Sequence, residues 1–255
     1  KLLRNPKFRK AMSYAVNREE INEFTALGLA EIRQATLSNS HPEITEERAK
    51  RYTEFNPEKA RELLDEIGLT ERDKDGYRVL PNGESFKIVI SPPASRSFRV
   101  DAATLVEKHW ENVGINTMAR PEEHTLFVER RQTGQHMVNI WGTAASLGIE
   151  SGYFFPITSW CHFAPLYGRY HATDGKEGIE PTGKIAKLMD LFRKIKAAET
   201  REKRLEYEEK VVEMHLDNLW QVGVIGYAPW VAVANNRMKN VQERFTSKGW
   251  NPMFP

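Results

Sequence analysis

Seven aromatic side chains fall between Gly142 and Glu180: Tyr153, Phe154, Phe155, Trp160, Phe163, Tyr167 and Tyr170, with Trp141 just ahead of them. Flat rings give large contact area for little side-chain entropy, and Trp and Tyr each add one polar handle. Such walls take the apolar faces of sugar rings, and they take peptides when polar groups fix the orientation. The alternative is that the rings only anchor a long connection to its own domain. Bond-breaking chemistry has less support. The sequence has no HExxH, no GxSxG, no P-loop and no GxGxxG behind a strand. Cys161 and His162 are adjacent, which is poor geometry for a nucleophile and its base. His162 and His171 share the segment but make a weak metal pair. Acidic residues are plentiful, yet no two stand out as the facing carboxylates of a glycosidase. The residues therefore call for no catalytic group, no metal and no cofactor.

The elements around this segment must position it. Asn5-Pro6 reads as a helix start, followed by Phe8, Ala11, Met12, Ala15 and Val16 at helical spacing. Asn17 with Glu20 reads as a second start of capping-box type. Residues 29–55 are polar and suit loop with short helical turns. Asn56-Pro57 opens another helix with Ala60, Leu63, Leu64 and Ile67 on one face, and Gly68 sits where a left-handed residue ends it. Asp75-Gly76 and Asn82-Gly83 are turn dipeptides. Beyond them the pattern becomes strand 86–90, helix 98–113, strand 115–119, helix 122–132 and strand 137–141. That alternation implies an α/β layer with parallel pairing. Residues 142–180 break the rhythm as a long loop, a length that is usually functional when it is not disordered. Helices within 181–216 follow, then short strands at 222–225 and 230–234.

The bulk numbers are those of an ordinary globular protein: 40% hydrophobic and 28% charged over 255 residues. A net charge of +2 argues against a nucleic-acid partner. Cys161 is the single cysteine, which excludes an intrachain disulfide and a CxxC motif. No apolar run approaches the roughly 20 residues that span a bilayer. The chain opens Lys1-Leu2-Leu3 without Met and enters a helix at once, so it reads as a segment of a longer protein.

Three stretches carry a resemblance. Asn5 to Ile21 contains Arg9-Lys-Ala-Met-Ser-Tyr-Ala-Val-Asn-Arg18; Asn56 to Gly68 is followed by Asp73-Lys-Asp-Gly-Tyr77 and Pro81-Asn-Gly83; Trp110-Glu-Asn-Val-Gly-Ile115 precedes a strand. In order and spacing the chain resembles the C-terminal half of family 5 extracellular solute-binding proteins, the oligopeptide, dipeptide, nickel and oligosaccharide receptors of ABC importers. The resemblance implies an α/β, periplasmic-binding-protein-like second lobe: a mixed sheet flanked by helices with a helical N-terminal part. Residues 1–221 would form that lobe (helical start 1–70, α/β layer 75–141, aromatic loop 142–180, helices 181–216), and 222–255 would return toward a first lobe. It also implies a monomeric binder of an oligomeric solute, peptide or oligosaccharide, working with a membrane permease in the periplasm or outside the cytoplasmic membrane. In peptide-binding members a Trp at the end of a second-lobe strand is followed three residues later by an Asp that pairs with the peptide amino group. Trp141 fits the Trp, but the Asp position is Ala144. The aromatic segment ending Gly175-Lys-Glu-Gly-Ile-Glu-Pro181 is similar to the oligosaccharide-type branch. Trp141 is the leading candidate contact, with Trp160, Phe163, Tyr167 and Tyr170 from the segment and Asn139 and Thr143 as polar candidates. The competing readings are a glycan or peptide hydrolase and a sensory or protein-interaction domain on the same fold.

Overall fold

The computed structural model describes residues 2–142, 149–228 and 235–239. Asn5 caps the first helix, α1 (Pro6–Tyr14): its Oδ1 accepts from the Lys7 amide at 2.9 Å, and Pro6 takes the position where a missing N–H costs nothing. Asn17 caps α2 (Arg18–Ala26) by accepting from the Glu20 amide at 3.1 Å. Only that half of the expected capping box forms, because the Glu20 carboxylate instead meets His109 Nε2 at 2.7 Å. Asn56 caps α4 (Pro57–Glu66), and Gly68 follows it at φ +85°. The polar stretch between them holds a short strand, β1 (Glu31–Ile32), and one brief helix, α3 (Glu46–Lys50).

The α/β layer runs β2 (Ile88–Ser91), α5 (Ser97–Asn112), β3 (Thr117–Ala119), α6 (His124–Gln132) and β4 (Val138–Asn139). All pairings in this sheet are parallel, in the order β3-β2-β4, with Ile88 opposite Thr117 and Ile90 opposite both Ala119 and Val138. Ile88 and Ile90 on the central strand are fully buried against Phe8, Leu64 and Ile115, with α1 and α4 packed along each other beneath. Trp110 closes this core and donates from Nε1 to the Met12 carbonyl at 3.1 Å.

A second core lies around α8 (Gly183–Lys196) and α9 (Arg201–Asn218), where Leu188, Val211 and Leu216 meet Leu37, Phe154 and Phe155. The expected loop at 142–180 is corrected here, because it contains a helix, α7 (Pro165–Ala172), started by Pro165. As expected, helices flank the sheet structure, which among the described residues consists of two small sheets. Strand β5 (Ile225–Gly226) pairs antiparallel with β1, apart from the parallel sheet. Arg18, fully buried, fastens this return: Nη1 donates to the carbonyls of Ser13 (2.8 Å) and Thr53 (2.9 Å), and Nε to that of Gly223 (3.0 Å). Gly223 lies so close to the Gln34–Ala35 backbone that a Cβ would meet the Ala35 nitrogen at 2.2 Å. The strand expected at 230–234 lies outside the described residues.

Candidate functional site

In open parallel sheets, ligands bind outside the carboxyl ends of strands at the point where the strand order reverses. In this sheet the chain passes from β2 to β3 on one side and then crosses to β4 on the other. The reversal therefore lies between the carboxyl ends of β2 and β4. Two side chains meet there. Arg99, in the first turn of α5 behind β2, brings its guanidinium carbon 4.2 Å from the ring centre of Trp141, two residues past β4. Asn139 ends β4 opposite Ser91 and is half-buried.

Helix α6 supplies the rest of the wall. Phe127 stacks on Trp141 with centroids 5.5 Å apart and planes 19° apart. Arg131, one turn on, lies 5.4 Å from the centre of Trp141 and 4.4 Å from that of Trp160. His162 stacks on Trp141 at 6.2 Å, and Tyr153 lies 5.2 Å from His162. The aromatic segment thus reaches the strand end through Tyr153, Trp160 and His162.

Glu122 holds this arrangement in place. Its carboxylate accepts from Arg130 Nη1 (2.7 Å) and Ser91 Oγ (3.2 Å) and meets His136 Nε2 at 2.8 Å. Its backbone pairs with Pro92 and Ala94 on the connection from β2 to α5. Burial opposes ionisation of Glu122, but hydrogen bonds from His136 and Arg130 outweigh it and keep its carboxyl below the usual range. The start of α6 and the connection that carries Arg99 are thereby clamped together.

Trp141 is half-buried and Trp160 is 52% exposed, so the two rings form a rim around Arg131. Phe163 is placed differently: it stacks on Trp220 at 5.2 Å and packs into the second core. Tyr167 and Tyr170 lie on α7, and the Tyr170 ring packs over the turn at Gly175. Among the described residues, neither stacks with Trp141. Thr143 lies outside the described residues. Sequence reasoning did not single out Arg99 or Arg131, and it named Tyr153 and His162 only as members of the aromatic segment and not as contacts. A signal for Arg131 existed: it stands four residues after Phe127, on the same buried face of α6.

Acid–base chemistry at this wall is suppressed. Burial pushes the Cys161 thiol up to about 12. Burial, with Arg131 and Arg99 nearby, pushes His162 down to about 3. A protonated thiol is no nucleophile at neutral pH. Among the described residues, no group of three His, Cys, Asp or Glu could hold a metal ion. No helix among them is long and apolar enough to cross a membrane.

Comparison with known proteins identifies the family and the fold. Residues 1–163 match the bacterial extracellular solute-binding proteins, family 5, middle region. A probable ABC transporter-binding protein of Deinococcus radiodurans is 29% identical over 115 residues, which is 45% of this chain and 19% of that protein. The oligopeptide-binding protein OppA superposes with TM-score 0.74 at 30% identity, covering 88% of this chain and 38% of that one. A periplasmic oligopeptide-binding protein of Thermotoga maritima, solved with mannohexaose bound, superposes with TM-score 0.67 at 21% identity, covering 88% of this chain and 42% of that one. The chain thus spans about two fifths of the length of these solved structures. By its match over residues 1–163, it belongs to the bacterial extracellular solute-binding proteins of family 5.

Proposed function

We propose that this chain is most of the second lobe of an extracytoplasmic receptor that delivers an oligomeric solute to an ABC importer. The receptor binds solute in a crevice at the carboxyl ends of β2 and β4 and releases it unchanged to a membrane permease. The observation that carries this reading is Trp141, a half-buried indole at the reversal point of a parallel sheet, rimmed by Trp160 and Arg99. An aromatic wall with few polar groups suits stacking on a sugar or peptide, and burial holds the Cys161 thiol and the His162 imidazole each in the uncharged form. Both solute classes occur among the related structures: one holds mannohexaose, and one, AppA of Bacillus subtilis, a nonapeptide.

A thermal-shift screen of the full-length receptor against di- to tetrasaccharides and short peptides tests this, because a ligand that binds the folded state raises its melting temperature. Trp141→Ala in that receptor is expected to weaken the best hit about 10-fold or more, as for a buried aromatic contact. Product release from any hit would replace the transport reading with an enzymatic one. Since a closing cleft takes contacts from both lobes, this chain alone is expected to bind the same hit far more weakly than the whole receptor.

A further inference from the structure

Glu122 touches the chain beside every strand of the parallel sheet. Its carboxylate accepts from Ser91 Oγ at the end of β2 (3.2 Å), from Arg120 Nη2 just past β3 (3.3 Å) and from Arg130 Nη1 on α6 (2.7 Å), and it meets His136 Nε2 ahead of β4 at 2.8 Å. The side chains of Glu122 and His136 are 3% and 4% exposed. A carboxylate buried this deeply is weak evidence for stability, because desolvation offsets its attractions. What it supplies is direction. An ionised carboxylate only accepts, so Nε2 of His136 carries the hydrogen. Nδ1 of His136 has no hydrogen-bond partner among the described residues, so the bond to Glu122 fixes the plane of the imidazole.

That plane is passed on from ring to ring. His136 lies 5.0 Å from Phe127, Phe127 5.5 Å from Trp141, Trp141 6.2 Å from His162 and His162 5.2 Å from Tyr153, with successive planes 36°, 19°, 24° and 31° apart. Phe127 is fully buried and Trp141 half-buried, so the run of rings leads from the core out to the crevice. Stacked rings by themselves tilt and slide at little cost, since a pair gains only about 0.5–1.5 kcal/mol beyond its burial. A hydrogen bond to a carboxylate is stronger and directional. We propose that Glu122 is a positioning residue for solute capture: through His136 and Phe127 it sets the plane of Trp141 without touching the solute itself. An indole held in its binding orientation beforehand loses less freedom when solute arrives. The assignment deepens the proposed function and rests on it, since Trp141 is the contact being oriented.

Calorimetry and near-ultraviolet circular dichroism on the full-length receptor test this. The probes are a mannose tetrasaccharide and tetra-alanine, one from each solute class. Glu122→Gln keeps the side-chain volume and removes the charge to which His136 donates. It is expected to weaken the better probe about 3- to 10-fold and to shift the dichroism band that Trp141→Ala abolishes. In a Trp141→Ala background the same substitution is expected to cost nothing further, because no ring is left to orient. His136→Gln keeps a donor for Glu122 but removes the ring; it should behave like Glu122→Gln, and it keeps the test decisive if that variant fails to fold. Equal losses with and without Trp141, or an unchanged Trp141 band, would overturn the positioning role and leave the transport reading standing. If neither probe binds the wild-type receptor, the Trp141 band alone decides whether Glu122 orients the indole, while the transport reading stands or falls by the thermal-shift screen.

Discussion

The two cores of this chain are built by different means. Around β2, regular elements do the work: helices capped by asparagine, a central strand bonded on both sides, and apolar residues at helical or strand spacing. Around α9, irregular chain is pinned by rings and single polar anchors. His215 Nε2 donates to the Phe154 carbonyl at 2.8 Å, Phe163 and Trp220 stack with planes 4° apart, and Phe155 packs on Phe192. In the first core the backbone satisfies itself, so side chains need only be apolar and well placed. In the second, side chains must also hold the backbone. The candidate site sits where the two kinds meet, with Trp141 and Arg131 from the regular layer and Trp160 and His162 from the irregular segment.

Removing a large ring from each core probes this difference most strongly. Phe8→Ala and Phe155→Ala, both at fully buried positions, are each expected to lose about 3–5 kcal/mol in chemical denaturation. Hydrogen exchange then separates them. Phe155→Ala should raise exchange in α8 and α9 before it does so in α1 and β2. Simultaneous loss of protection in both regions would mean one cooperative unit instead of two.

Acid should act on the second region first. Burial pushes His215 down to about 4, partly offset by its bond to Phe154, and His162 down to about 3. Unfolding restores an ordinary value near 6.5, so the unfolded chain binds more protons as pH falls below that point. The stabilisation is complete above about pH 6.5 and is lost on the way down toward pH 4, by on the order of 2–3 kcal/mol per histidine at pH 4.5. Denaturation of wild type and His215→Gln at pH 7 and 4.5 checks the sign: the variant should show the flatter pH dependence.

The smallest effect reverses a usual preference. Gly→Ala inside a helix ordinarily gains about 1 kcal/mol. At Gly168 in α7, however, a Cβ would meet the Thr158 carbonyl oxygen at 2.0 Å. The expected outcome is a net loss of about 1–2 kcal/mol, read as a lower melting temperature, because backbone must shift to make room. A gain would show that α7 is free to move off the aromatic segment.

Legibility in the sequence follows the same division. Asn5, Asn17 and Asn56 announced their helices because a cap is a local interaction. The parallel sheet was legible from the alternation of strand and helix periods. Helix α7 was not: Gly168 and the aromatic residues Tyr167 and Tyr170 mask its pattern, and it exists because Leu166 and Gly178 close on each other through the Ile179 amide. At the candidate site, Trp141 was singled out through the resemblance, as the Trp at the end of a second-lobe strand. The two arginines were not singled out, since a charge's burial depends on what distant chain covers it.

The antiparallel pairing of β1 with β5 carries a consequence for biosynthesis. The contact that seals it, Gln34 to Gly223, spans 189 residues. At roughly 5–20 residues per second, the early strand waits on the order of 10–40 s after leaving the ribosome for its mate. Until then its edge is open to any extended chain nearby, and Arg18 lacks one of its carbonyl partners. The edge of β1 therefore stays unpaired until a segment 189 residues further along the chain is free to fold against it, whichever side of a membrane that happens on.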